Sequence, residues 1–157
     1  MKKHMVKVVA VITVAVLALL AGCGGRSGGK EPAAKAVVEA VAGEVPFVDT
    51  MDYVDTEQFY NLYRLDQEKV ADQSMYTGTL ASAEEITVIR MKEAGDVQAA
   101  KDAIAERLED KRLAFENYQP GEMAKIQSAQ IYTHGAYVML VVADDTSKAQ
   151  SAFDAQF

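Results

Sequence analysis

The residue with the clearest chemical role is Cys23, the only cysteine among 157 residues. It follows Leu20-Ala21-Gly22 at the end of an apolar run, and a triplet of this kind before a cysteine is typical of a bacterial lipobox. Lipoprotein processing joins a diacylglycerol to the thiol of such a cysteine and then cleaves the chain immediately before it. We therefore expect the mature chain to begin at Cys23 and to be attached to a membrane by lipid.

The residues before Cys23 have the three-part layout of a secretory signal. Lys2, Lys3 and Lys7 give a cationic start, and residues 8–21 are apolar except for Thr13. A spanning helix needs about 20 apolar residues, and this run supplies roughly 15. An uncleaved membrane anchor is thus an alternative, as is an ordinary signal peptide whose cysteine stays free, but the lipobox favours processing.

The other reactive residue types form no pattern typical of catalysis or metal binding. His134 is the only histidine of the predicted mature chain and falls in a tight turn, with no second ligand or triad partner beside it. Glu84 and Glu85 are adjacent, so on a strand they point to opposite faces and cannot act as a paired acid and base. Asp144 and Asp145 favour helix capping, because no calcium-binding loop surrounds them. We predict no catalytic residue, no metal and no cofactor.

Tyrosines are the candidates for binding a partner. The segment Phe115-Glu116-Asn117-Tyr118-Gln119-Pro120 ends the longest predicted helix. Either Phe115 and Tyr118 close the core while Asn117 takes a left-handed cap, or the segment presents an aromatic and polar corner. Tyr132 and Tyr137 fall on two predicted strands and should face each other across a hairpin. The candidate partner contacts are Tyr118, Tyr132 and Tyr137.

The charge balance limits the class of partner. Removal of residues 1–22 leaves 13 basic and 23 acidic residues, a net charge of −10 over 135 residues. Such a surface is repelled by phosphate backbones and anionic lipid headgroups, which argues against nucleic-acid binding and electrostatic membrane adhesion. Membrane contact is expected through the lipid on Cys23, and the partner is expected to be an envelope protein or a cell-wall component.

The hydrophobic pattern predicts an α+β domain. Two N-terminal helices, over Ala33 to Ala42 and after an Asp55 cap, precede elements in the order ββααββα. The four strands should form an antiparallel sheet packed against a long amphipathic helix from about Asp96 to Asn117. Val97, Ala100, Ile104, Leu108, Phe115 and Tyr118 form its predicted inward stripe. The last two strands, 129–133 and 136–143, should be joined by a His134-Gly135 turn, with the apolar 138–142 run buried on both faces, and Asp145 or Thr146 should cap the last helix.

The chain divides into three parts on this evidence. Residues 1–22 are the predicted signal peptide, 23–31 the lipidated cysteine and a Gly-rich linker, and 32–157 a single α+β domain. The seven linker residues 24–30 reach at most about 25 Å, so the domain should lie close to the bilayer.

Several short motifs carry a family resemblance from about Val37 to the C-terminus. They are Leu62-Tyr63 with Asp66, Glu84-Glu85-Ile86, the 115–120 segment, Ile126, and Gly135 with Tyr137-Val138 followed by Asp144. In these motifs the chain resembles a bacterial lipoprotein family known as domain of unknown function 4358. This chain has Arg64 at a position where members of that family often have Gly. The resemblance implies a small lipid-anchored protein of the Gram-positive envelope, on the outer face of the cytoplasmic membrane. It implies no activity and no catalytic residue.

Three function classes follow from these observations. The first is a non-catalytic binding or structural module of the cell envelope, favoured because the chain offers no recognisable catalytic group. The second is a small-molecule or solute-binding lipoprotein, which an apolar pocket would favour. The third is a carboxylate-dependent wall hydrolase, which two convergent carboxylates would favour.

The lipobox makes a direct prediction. Cys23→Ala should leave an unprocessed precursor or release the protein from the membrane, because an acylated cysteine supplies the stable attachment. Intact mass and membrane fractionation of the variant measure this, with Ser27→Ala in the linker as the matched control. Unchanged mass and fractionation in the Cys23→Ala protein would contradict lipidation.

Overall fold

A computed structural model describes residues 30–157, so Cys23 and the predicted signal peptide lie outside the described residues. Within this range the structure has five α-helices and five β-strands. The helices are α1 (Ala34–Ala42), α2 (Thr56–Tyr63), α3 (Val97–Phe115), α4 (Met123–Gln127) and α5 (Ala149–Asp154). The strands are β1 (Asp52–Tyr53), β2 (Val70–Thr77), β3 (Glu85–Met91), β4 (Gln130–His134) and β5 (Tyr137–Val142).

The strands form one antiparallel sheet in the order β1-β2-β3-β5-β4. The predicted α+β class, the two N-terminal helices and the ββααββα order are confirmed, but the sheet has five strands instead of four. The additional strand, β1, has only two residues, Asp52 and Tyr53, which pair with Thr77 and Tyr76. A segment this short carries no alternation of apolar and polar residues, so its pattern could not predict a strand.

Each face of the sheet is covered by helices. Alternation along β3 sends Ile89 and Met91 to one core and Ile86 and Val88 to the other. The first core packs against α2, α3 and α4, and the second against α1 and α5. The central position of β3 and β5 explains why residues 138–142 are apolar without interruption, as predicted, since both of their faces are fully buried.

The long helix α3 packs on the sheet through part of its predicted stripe. Ala100, Ile104 and Phe115 are buried, and Val97 and Leu108 are partly buried. The prediction that Tyr118 faces inward is wrong, because its side chain is 85% exposed. The physical reason is that α3 ends at Phe115, so Tyr118 no longer follows the helical period that would have turned it inward.

The last hairpin differs from the prediction by one residue. His134 pairs with Tyr137, so the two turn residues are Gly135 and Ala136, and Gly135 has a φ of 52°. A two-residue hairpin can place its positive φ at the first turn position, where glycine adopts it without strain. As a consequence Tyr132 faces Met139 across the hairpin, and the predicted pairing of Tyr132 with Tyr137 is wrong.

Side chains fix several helix ends. Asp55 accepts the predicted capping hydrogen bond from the Gln58 backbone at 2.8 Å. Arg64 ends α2 in the left-handed conformation, at φ 52°. The predicted cap of α5 is wrong, because that helix begins after Lys148 and Asp145 instead accepts from the Ser147 backbone, one turn earlier. No helix in the part of the chain from residue 30 onward combines the length and apolarity required to cross a bilayer.

The packing of α3 predicts an asymmetric response to truncation. Ile104→Ala should lower the free energy of unfolding by ~2 to 5 kcal/mol, because Ile104 is fully buried and its loss leaves a cavity. Leu113→Ala on the same helix is the control, because Leu113 is 54% exposed and should change stability by less than ~0.5 kcal/mol. Urea unfolding followed by circular dichroism measures both. Equal losses in the two variants would mean that α3 does not cover the sheet in this register.

Candidate functional site

The most unusual group in the domain is the carboxylate of Glu85, which is completely buried at the start of β3. Its Oε1 accepts hydrogen bonds from the hydroxyl groups of Tyr63 and Thr87. Its Oε2 accepts from Arg107 at 2.9 Å and lies 3.0 Å from Lys111 Nζ. A buried carboxylate is stable only when it is paired and hydrogen bonded, and Glu85 meets both conditions.

The chain brings these groups together through two periodicities. Glu85 and Thr87 are two residues apart on a strand, so they share the face that meets α3. Arg107 and Lys111 are four residues apart on α3, so they share the face that meets the strand. Tyr63 at the end of α2 completes the set and stacks on Phe59 at 4.8 Å between ring centroids.

The cations control the ionisation of this cluster. Burial alone would raise the pKa of Glu85, but Lys111 and Arg107 together lower it to about 2. Burial lowers the pKa of Lys111 despite its contact with Glu85. Burial and the adjacent Glu85 carboxylate raise the pKa of the Tyr63 hydroxyl well above its usual range. At neutral pH Glu85 is therefore ionised and Tyr63 is neutral.

Glu84 forms a second buried site that shares no partner with the first. Its carboxylate accepts from the backbone N–H groups of Val48 and Asp49 at 2.9 to 3.1 Å and lies 3.3 Å from Lys125 Nζ. Glu122 also contacts Lys125, at 3.2 Å. Burial by itself would lower the pKa of Lys125, but Glu122 and Glu84 raise it. The two adjacent glutamates do not converge, as the sequence predicted, but both are buried, which it did not predict.

A cleft of about 250 Å³ opens directly above the Glu85 cluster. One wall is α3, a second is formed by α2 and Val54, and the third is the end of β2 with the loop that follows it. Most of the lining is apolar, and Arg107 and Lys111 lie in its floor. The lining residues are Val54, Gln58, Leu62, Met75, Thr77, Gly78, Thr79, Leu80, Ser82, Arg107, Asp110, Lys111, Ala114, Phe115 and Tyr118.

The loop between β2 and β3 is fixed in place by Asp49. Its Oδ2 accepts from both the backbone and the hydroxyl of Thr79, each at 2.7 Å. Gly78 permits this close approach, because a Cβ at that position would lie 2.9 Å from the same carboxylate oxygen. The loop thereby holds Leu80 at the rim of the cleft.

Two large apolar side chains at the rim are almost wholly exposed. Leu80 is 99% exposed and Tyr118 is 85% exposed, and both line the cleft. An apolar cleft that continues onto exposed apolar side chains is a typical ligand or partner site. The structure therefore favours this cleft as the candidate functional site.

The structure does not bring the three predicted tyrosines together. Tyr118 lies at the cleft, whereas Tyr132 and Tyr137 belong to the sheet face covered by α1 and α5. Tyr137 is buried and donates its hydroxyl hydrogen to the Pro32 carbonyl at 2.8 Å, so its role is structural. Tyr132 is half-buried and packs against Phe153. The predicted lipidation residue, Cys23, lies outside the described residues.

The residues missed by sequence reasoning are those of the ionic floor. Arg107 and Lys111 occur in a helix rich in charged residues, and nothing in their types separates them from the solvated ones. One available signal was their spacing, which places both on the face carrying Ile104 and Phe115. His134, predicted in a turn, ends β4 instead and stacks on Phe157 at 4.1 Å.

Comparison with known proteins places the chain by family alone. The family model described as "Domain of unknown function (DUF4358)" matches residues 45–143. No curated protein and no solved structure matches. The matched region contains the cleft, both buried glutamates and their cationic partners, and within residues 30–157 there is no cluster of three or more His, Cys, Asp or Glu side chains suited to a metal.

The Glu85 cluster predicts a pH dependence of stability. Folding lowers the pKa of the Glu85 carboxyl from about 4.5 to about 2. The ionised carboxylate therefore stabilises the fold fully above about pH 4.5, and this stabilisation is lost as the pH falls towards 2. Glu85→Gln should lower stability by ~3 to 5 kcal/mol at pH 7, because it leaves the buried Lys111 and the largely buried Arg107 without their shared counter-charge. The difference from the wild type should narrow between pH 4.5 and 2.

Urea unfolding at several pH values measures this difference. The double variant Glu85→Gln/Lys111→Met serves as the control, because it removes one of the two uncompensated charges and should recover part of the loss. A constant difference between wild type and Glu85→Gln across the acidic range would contradict the assigned ionisation.

Proposed function

The chain belongs to the family of domain of unknown function 4358, and on that premise we propose that it is a lipid-anchored extracytoplasmic protein that acts by binding, without catalysis. The attachment is through Cys23, on the outer face of the cytoplasmic membrane. The binding site is the cleft between α2, α3 and the β2–β3 loop. The observation that carries the proposal is the pair of exposed apolar side chains, Leu80 and Tyr118, at the rim of an apolar cleft.

The state of the acidic groups supports a binding role over hydrolysis. A wall hydrolase of the carboxylate type needs one protonated and one ionised carboxyl facing a common substrate. Glu85 is held ionised at neutral pH by Lys111 and Arg107, and Glu84 is occupied by backbone donors and Lys125. These two glutamates therefore have structural roles, and neither is placed to transfer a proton.

The direction of the cleft supports a partner in the envelope. The described chain begins beside the end of the sheet where Arg90 pairs with Tyr137, since Glu31 contacts Arg90 and Pro32 contacts Tyr137. The cleft lies at the other end, beyond Glu85 and Thr77, roughly 17 Å away along β3. A tether that enters the domain at residue 30 would therefore reach it at the end of the sheet opposite the cleft.

A small-molecule receptor is the second candidate function. The specific observation in its favour is the ionic floor, because a few fixed polar groups beneath an apolar wall are typical of small-ligand pockets. The volume of about 250 Å³ lies just under the usual range for drug-sized ligands, roughly 300 to 1,000 Å³. It suits a small ligand or one inserted group of a larger partner.

The test is photo-crosslinking of the full-length chain in its native membranes, followed by mass spectrometry of captured molecules. Tyr118→Ala and Leu80→Ser should each reduce capture roughly tenfold, because exposed aromatic and apolar anchors contribute most of the affinity at such sites. Leu113→Ala is the matched control, since Leu113 is an exposed apolar residue of α3 outside the cleft. Capture that is insensitive to both cleft variants, or turnover of wall fragments by the purified chain, would refute the proposal.

A further inference from the structure

We infer that the cleft binds a small apolar carboxylate, with the anionic group against Arg107 and Lys111 and the apolar body between Leu62, Leu80 and Phe115. This inference rests on the proposed binding function of the cleft and names the chemistry of its ligand. The reasons are the charge balance of the floor, the unused donor of Arg107 and the apolar walls.

The two cations of the floor, Arg107 and Lys111, outnumber the single carboxylate that both contact, Glu85. Arg107 and Lys111 both contact a single carboxylate oxygen, Oε2 of Glu85, while Oε1 accepts from two neutral hydroxyl groups. Lys111 also donates to the Ala83 carbonyl at 3.1 Å. The buried Lys111 and the partly exposed Arg107 thus share one carboxylate. A net positive charge under an apolar wall is costly to leave alone, so a second anion in the cleft would be stabilised there.

Two further carboxylates act on these cations at longer range, Asp110 on Arg107 and Glu122 on Lys111. Each has a closer cationic partner of its own, which for Glu122 is Lys125 at 3.2 Å. Asp110 lines the cleft, but its Oδ2 lies 2.6 Å from Arg64, which does not line the cleft. Arg64 also contacts Glu106 at 3.3 Å, and these side chains are between 38% and 64% exposed. Solvent and salt screen exposed charges of this kind much more strongly than buried ones.

Arg107 has donor capacity directed away from Glu85. Its Nε and Nη2 atoms donate to Glu85, and Nη1 makes no hydrogen bond to any residue between 30 and 157. The side chain is 13% exposed and lines the cleft. A guanidinium group with a free N–H pair at the base of an apolar cleft is suited to bind a carboxylate through charge-assisted hydrogen bonds.

The walls determine what accompanies the anionic group. Leu62, Met75, Leu80 and Phe115 line the cleft around the cations, whereas a site for a multiply charged ligand would need further cations at the mouth. The net charge of −10 on the predicted mature chain, residues 23–157, opposes polyanions at a distance. A single carboxylate on an apolar body satisfies both the floor and the walls.

The test is a titration of the full-length chain in detergent with hexanoate. Hexanol and hexylammonium, which have the same six-carbon chain, are the neutral and cationic comparison probes. Hexanoate should bind at least about tenfold more tightly than either, because only it makes charge-assisted bonds to the floor. Methyl resonances of Leu62, Met75 and Leu80 should shift on binding. Acetyl-alanyl-leucine tests whether a peptide C-terminus, instead of a free acid, can supply the carboxylate. Its C-terminal amide is the control that lacks this charge.

Two variants separate the charge from the apolar wall. Lys111→Met removes the excess charge and should weaken hexanoate binding about tenfold or more, while hexanol binding stays unchanged and Lys111→Arg restores the preference. Leu80→Ser should weaken both probes equally. Because Leu80 is 99% exposed, this variant remains informative if Lys111→Met fails to fold.

The possible results distinguish failure of this inference from failure of the proposed binding function of the cleft. Binding of hexanoate or of the free dipeptide alone, dependent on Lys111, supports the inference. Equal binding of hexanol or hexylammonium, or no binding of any carboxylate, overturns it. If capture in native membranes still depends on Tyr118 and Leu80 in that case, the binding function stands, and if capture is also insensitive, both proposals fail.

Discussion

The burial of two adjacent carboxylates at the start of β3 is the constraint on which the rest of the structure depends. Each would cost several kcal/mol if it were left unpaired. Glu84, the residue before β3, and Glu85, the first residue of β3, bind separate sets of partners. Glu84 orders the segment at residues 48 and 49 and holds Lys125, while Glu85 holds α2 and α3 through Tyr63, Arg107 and Lys111. One dipeptide thus connects most of the elements at that end of the sheet.

The same interaction borders the cleft. Along most of its length α3 covers the sheet with apolar residues such as Ala100 and Ile104, which allow close contact. At Arg107 and Lys111 the helix instead presents long charged side chains that bend towards Glu85. Glu85 and Lys111 are buried by this arrangement, whereas Arg107 stays 13% exposed and lines the opening between Leu62 and Leu80. The structural ion cluster and the candidate binding site are consequently one feature.

Local patterns allowed most of the fold to be predicted from the sequence. Period-two spacing identified β3, period-3.6 apolar spacing identified α3, and an uninterrupted apolar run identified β5. Asp55 correctly marked the start of α2. The failures occurred where local pattern does not decide the outcome. The register of the last hairpin depends on which turn position takes the positive φ, and the exposure of Tyr118 depends on where α3 ends. The ionic floor depends on contacts between residues 22 or more apart. Helical spacing could indicate the face on which Arg107 and Lys111 lie, but not their contact with Glu85.

The acidity of the whole chain and the cationic floor of the cleft act at different ranges. Exposed charges are screened over about 8 Å at physiological ionic strength, so the net negative surface influences the approach of ligands more than their final binding. Arg107 and Lys111 lie under apolar walls, where the effective dielectric constant is lower and a single charge pair is correspondingly stronger. The negative surface repels a polyanion strongly before it reaches the floor. It repels a monoanion only weakly, and a monoanion that reaches the floor can pair with Arg107 and Lys111. The combination selects for one carboxylate on an apolar body, and it predicts that added salt will change the rate of association more than the rate of release.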